Sequence, residues 1–192
     1  MGLNAKNILY PQGRLNPGGI GGHIYYAFEE DIDKYPAALT ADTETALTFD
    51  SLGSIPLADP FVMKAGKFFH KIYCTLEMGE VKFSMVGVRD SKSFENTAEI
   101  SFPGNEAEML GFIAAAANRR LAVIVPEQNG KMRVIGHPNF PAQIDTAEGT
   151  SGKAVADGRA TVITIKAAAG TPAPIYLAPV PLEPIVPVIP GG

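Results

Sequence analysis

His23, His70, His137 and Cys74 are the residues whose side chains could do the most varied chemistry in this 192-residue chain. The histidines lie far apart, and none has a carboxylate or cysteine beside it at metal-ligand spacing, so no metal site is expected. His70 and Cys74 fall on one face of an expected strand, an arrangement that could pair a base with a thiol. At the rise of a strand, however, positions four apart are separated by about 13 Å, too far for a direct hydrogen bond. The apolar residues around Cys74 fit a buried, inert thiol better.

Other candidates yield to simpler readings. Glu29, Glu30, Asp31 and Asp33 lack the spaced oxygens and the glycine of a calcium loop, and a solvated turn accounts for them. Gly149-Thr150-Ser151-Gly152-Lys153 resembles a phosphate loop, yet Ala147 stands where its first glycine belongs and Ala154 where a magnesium-binding hydroxyl is needed. The glycines from Gly18 to Gly22 do not form a dinucleotide fingerprint. Lys64, Lys67, Lys71, Lys82 and Arg89, interleaved with Phe68, Phe69, Tyr73 and Phe83, could meet a nucleic acid, but a wet sheet face and core packing explain them. The expectation is a non-enzymatic protein with no catalytic residue, cofactor, metal or specific nucleic-acid site.

The bulk properties frame this. A net charge of -4 gives no general attraction for phosphates, and 46% hydrophobic with 19% charged residues excludes a disordered chain. No apolar run reaches the roughly 20 residues of a spanning helix, so a soluble protein without a membrane partner is expected. A single cysteine excludes an internal disulfide and suits a reducing compartment. The first residues do not read as a secretory signal, and Lys6 stands where a myristoylation signal wants Ser or Thr. The length fits one domain, and twenty glycines with sixteen prolines favour many turns between short strands.

The elements that must position any site follow from periodicity. Phe94, Asn96, Ala98, Ile100 and Phe102 alternate with polar residues as a half-buried strand does. Asn105 is placed to cap a helix over about 105–120, with Met109, Phe112, Ile113 and Ala116 as its apolar stripe and Arg119 and Arg120 at its close. Leu121 to Val125 and Lys131 to Ile135 flank an Asn129-Gly130 hairpin turn. His23 to Phe28 reads as a strand, and another is expected from about Ala46 to Phe49, before a loop over Ser51 to Pro60.

Phe68 to Val88 reads as a hairpin turning at Gly79. Phe68, Ile72, Cys74 and Leu76 would share one face and Lys71, Thr75 and Glu77 the other, with Val81, Phe83 and Met85 opposed to Lys82 and Ser84 on the return. Gln143 to Thr146 is expected to pair briefly before a polar loop over 148–153, and Asp157-Gly158 leads into a last strand from Arg159 to Ala167. The organisation is then a glycine-rich arm over 1–22, a mainly β sandwich or barrel with one flanking helix over 23–169, and a proline-rich tail over 170–192. That tail cannot form a central strand and is apolar enough to dock on another surface.

The order of these features resembles phage tail tube proteins and their relatives in type VI secretion tubes. The likeness rests on the strand Phe94 to Phe102, Pro103-Gly104-Asn105 leading into Glu106 to Arg120, the hairpin around Gln128-Asn129-Gly130, Val134-Ile135-Gly136, and the segment from Thr150-Ser151-Gly152 to Lys166. It implies a β-sandwich or barrel with a flanking helix, assembled as hexameric rings whose stacked inner strands line a channel for DNA or effector proteins. It also implies a virion or prophage tail protein, assembled in the bacterial cytoplasm, with itself and other tail proteins as partners. On that reading Lys71, Thr75, Glu77, Lys82 and Ser84 are lumen-facing candidates. Gly18, Gly19, Pro56, Leu57, Phe61, Ile185 and Val188 are candidate subunit contacts. The proline-rich tail departs from a minimal tube subunit and leaves a neck or baseplate role open. The alternative class is a β-sandwich binding module for carbohydrate or peptide.

Overall fold

The computed structural model describes residues 6–40 and 48–184 and is mainly β. Its strands are β1 (His23–Phe28), β2 (Ile32–Lys34), β3 (Ser54–Ile55), β4 (Val62–Met63), β5 (His70–Tyr73), β6 (Glu80–Val86), β7 (Ser93–Pro103), β8 (Leu121–Pro126), β9 (Met132–Ile135), β10 (Gln143–Thr150), β11 (Ala160–Ala169) and β12 (Ile175–Tyr176). The helices are α1 (Ala37–Thr40), α2 (Phe49–Gly53) and α3 (Ala107–Ala116). A six-stranded sheet runs β3-β12-β9-β8-β1-β5, a four-stranded sheet runs β10-β11-β7-β6, and β2 pairs with β4.

β8 shows why the layers stack as they do. An uninterrupted apolar run such as Leu121 to Val125 has no wet face, so it is stable only where both sides of its sheet are covered. Leu121, Val123 and Val125 meet Ala98 and Ile100 of β7 and Ile163 and Ile165 of β11, the core between the two large sheets. Ala122 and Ile124 point the other way, into a second core with Ile55, Phe61, Phe69 and Tyr176. Around β8 the six-stranded sheet is thus covered on both faces, by the four-stranded sheet on one and by the excursion between β1 and β5 and the C-terminal segment on the other. At its edge β5 leaves His70, Lys71 and Tyr73 exposed.

α3 carries the chain from the four-stranded to the six-stranded sheet. Met109 and Ala116 are buried, and the Phe112 ring lies 4.8 Å from that of Tyr26. Glu106, not Asn105, stands at the N-cap, with no side-chain capping bond among the described residues and its carboxylate 3.8 Å from Arg159, while the Oδ1 of Asn105 accepts the Thr161 hydroxyl at 2.6 Å. Arg119 and Arg120 lie beyond the helix, paired with Glu30 at 3.1 Å and Glu29 at 3.5 Å. The expected hairpin joins β8 to β9, and of Asn129 and Gly130 only Gly130 takes a positive φ, +83°.

The expected hairpin from Phe68 to Val88 does not form. β5 pairs with β1 in one sheet and β6 with β7 in the other, so Thr75 to Gly79 is a crossover. The Cys74 amide still donates to Gly22, at 3.0 Å, and the next amide, of Thr75, already donates to Ser101, at 2.8 Å. Alternation alone cannot separate the two outcomes, because a strand shows the same period whichever neighbour it joins. Gly79 is required at the crossing: a Cβ there would lie 2.6 Å from Cδ1 of Ile20 and 2.8 Å from the sulfur of Cys74.

Three further expectations are revised. β10 pairs with β11 through Thr150, well past Thr146, with Ile144 and Ala147 set against Ile165 and Ile163. Phe49 opens α2, whose Thr48 hydroxyl accepts from the Ser51 amide, while Ala46 and Leu47 lie outside the described residues. The proline-rich segment docks on its own body, and β12 is an interior strand between β3 and β9. Its prolines flank the two paired residues, so no ladder donor is lost there. The Tyr176 hydroxyl donates to Pro179 and accepts from the Phe61 amide at 3.1 Å.

Candidate functional site: the open four-stranded sheet

The four-stranded sheet has one face packed in the core and one partly open face, on which Thr97 and Ser101 of the central strand β7 are themselves buried beneath longer neighbours. Because side chains alternate, the residues opposite its core positions turn outward: Glu80, Lys82 and Ser84 on β6, Glu95, Thr97 and Glu99 on β7, and Thr164 and Lys166 on β11. Lys82, Ser84, Glu95, Thr97, Asp145, Thr146, Thr164 and Lys166, with Phe83 at the edge, line a shallow groove of about 290 Å³. The Lys166 ammonium lies 3.1 Å from Asp145 and 3.7 Å from Glu95, and that of Lys82 lies 2.7 Å from Glu80. These carboxylates, through hydrogen bonds first and charge second, push both ammonium groups above their ordinary range, so both stay charged at neutral pH. Glu80 and Glu99 face each other directly across the β6–β7 ladder. With Glu95, Asp145 and Glu148 added, acidic groups outnumber basic ones on this face.

Among the described residues both edges of the sheet are unpaired. β10 carries a register shift between Ile144 and Thr146 and a glycine at 149, features that blunt an edge. β6 has neither. Phe83 and Met85 are 58% and 61% exposed, and the β6–β7 turn carries exposed Val88. No family model, curated protein or solved structure matches the chain. What this surface can do is therefore read from its own geometry.

The structure divides the five lumen-facing candidates. Lys82 and Ser84 lie on the open face, whereas Lys71 is on β5 of the other sheet, its ammonium 5.8 Å from the Tyr25 ring centroid. Thr75 and Glu77 belong to the crossover, where Glu77 takes a φ of +63°. They share no face, because the hairpin that would have aligned them is absent. Gly18, Gly19, Pro56 and Leu57 are exposed, but Phe61 is buried against Tyr35, Phe69 and Tyr176 and is a core residue. Ile185 and Val188 lie outside the described residues.

The chemical candidates separate as well. Cys74 is fully buried, its thiol pushed up by burial, while His70 is exposed beside Tyr26. His23 and His137 are held below their ordinary range by burial, with Lys71 adding to the effect at His23. Asp31 pairs with Lys67 at 2.8 Å, so the acidic run is tied to cations on both sides. Among the described residues no three His, Cys, Asp or Glu side chains cluster as metal ligands would.

Sequence reasoning missed two features. Asn96, on the inner face of β7, is buried, its Oδ1 accepting the Ala173 amide at 2.9 Å and its Nδ2 donating to the Thr171 carbonyl at 3.2 Å. An amide amid an apolar alternation was the available signal. The exposure of Phe83 and Met85 had no signal, since their alternation is that of core residues.

Proposed function

We propose that this chain is a non-enzymatic structural subunit that works by self-association, as a component of a phage or prophage tail that forms rings or a tube. The observation that carries the reading is the four-stranded sheet, whose two edges are unpaired among the described residues and whose outer face carries exposed charged and hydroxyl groups. Unpaired backbone groups at a sheet edge are satisfied by another strand, and repetition of one such contact around an axis closes a ring. In a ring the polar face, with Lys82, Ser84, Glu95 and Lys166, is the candidate channel wall. Its acidic excess disfavours adhesion of a passing polyanion. The partners are then other copies, six to a ring if the tube resemblance holds, and other tail proteins in the virion.

The test is sedimentation across a concentration series, with negative-stain microscopy of the same samples. Rings or tubes are expected; a single monomeric mass at every concentration counts against the reading. The groove favours a second reading, a module for carbohydrate or peptide, because its hydroxyls, ammonium groups and carboxylates all hydrogen-bond polar ligands. Saturable binding to a glycan or peptide array by a protein that stays monomeric would select it.

A further inference from the structure

Among the described residues, only β7 pairs with β6, and its other edge is open. Edges are normally blunted by proline, bulges, inward charges or a covering segment. Over Glu80–Val86 there is no proline and no glycine, and the single lysine is tied to Glu80. Phe83 and Met85 are exposed along it. A strand of this character is covered in a soluble working assembly.

The other open edge complements it poorly. β10 is bulged and interrupted by Gly149, and its Asp145 and Glu148 would bring further negative charge to an edge that already carries Glu80, itself opposite Glu99 of β7. The N-terminal arm is the better match. Residues 6–19 are exposed throughout, with Ile8 at 84% and Leu9 at 82%. Asn7-Ile8-Leu9-Tyr10 is an apolar run able to extend as a strand, and Pro11 stops it. Lys6 and Arg14 flank it and no acidic residue lies within 6–19, the charge that suits the acidic surroundings of β6.

The arm does not serve its own β6. Ile20 anchors it in the core and bridges to Glu127, the Gln128 amide donates to Gly19, and Lys6 pairs with Asp50 of α2. Among the described residues no hydrogen bond joins the arm to β6 of the same chain. Extended, residues 6–19 span about 45 Å, enough to reach a neighbour. We propose that residues 7–10 of one copy add as an extra strand to β6 of a second copy, with Lys6 and Arg14 set against Glu80, Glu95 and Glu99. This rests on the self-association reading and names the contact that joins the copies.

The test uses full-length single-cysteine additions at exposed positions, where Cys74, being buried, does not compete. Ile8→Cys protein is mixed with Phe83→Cys or Met85→Cys protein, and Ser84→Cys with Thr146→Cys protein. Each mixture is treated with a short bis-maleimide, and the linked peptides are identified by mass spectrometry. Links from residue 8 to 83 or 85 between copies are expected, and Ile8→Asp with Leu9→Asp should weaken association about tenfold or more at an unchanged unfolding midpoint. Links from 84 to 146 with none from residue 8, or an aspartate variant that associates normally, would overturn arm addition while leaving self-association standing. A wild-type chain monomeric at every concentration would overturn both.

Discussion

β8 and β6 are both rich in strand-forming residues, yet they face opposite environments. β8 has paired neighbours on each side and a core on each face, with Leu121 to Val125 fully buried. Among the described residues β6 is paired on one side only, and its Phe83, Met85 and Val86 are exposed. The difference teaches that stability and association are separately located in this molecule. The six-stranded sheet supplies the folded body, and the four-stranded sheet offers what the body leaves open.

Substitutions along the two strands should therefore diverge. Ile124→Ala in β8 opens a cavity in a sealed core and should cost about 2–5 kcal/mol, measured by urea unfolding of dilute protein. Gly79→Ala tests the joint between the sheets. Its methyl must displace Ile20 and Cys74, and a loss of about 1–3 kcal/mol is expected in the same assay. Phe83→Ala in β6 should change monomer stability by less than about 0.5 kcal/mol. The same variant should weaken association, read by sedimentation. A loss of stability at Phe83 comparable to that at Ile124 would erase the contrast.

Two smaller effects sharpen it. Burial lowers the folded-state pKa of His23 and His137 below the ordinary 6.5, and the Nε2 of His23 is buried with no hydrogen-bond partner among the described residues. The unfolded chain then binds protons more readily than the folded one as pH falls. The stability contributed is complete above about 6.5 and is lost as pH drops through the lowered folded values. The thermal midpoint should fall from pH 7 to pH 5, and His23→Phe should flatten part of that slope. Cys74 should react with a thiol reagent only as the protein unfolds, at a rate that tracks denaturant concentration, because burial both shields the thiol and disfavours the thiolate.

Local pattern was a good guide where one segment fixes its own structure. The alternation of Phe94 to Phe102, the stripe of α3 and the turn at Gly130 each depend on neighbours within a few residues, and each is present. Pairing was not legible, because β5 and β6 have the alternation of a hairpin and only the three-dimensional fold sends them to different sheets. That single difference dispersed Lys71, Thr75, Glu77, Lys82 and Ser84, which sequence placed on one face. Prolines misled at the C-terminal segment for a related reason. Counting them shows that a long central strand is impossible, but a two-residue strand fits between Pro174 and Pro179 and buries Tyr176. The loop around Phe61 suggests a surface contact, yet its ring completes the aromatic cluster of the second core.

The most direct test of a sealed sheet beside an open one is amide hydrogen exchange followed as protein concentration rises. Amides of β8 should exchange slowly at every concentration, while those of Glu80 to Val86 should exchange quickly in dilute protein and become protected as copies associate. Protection of β6 that does not change with concentration, in samples whose mass shows that association has occurred, would contradict the account.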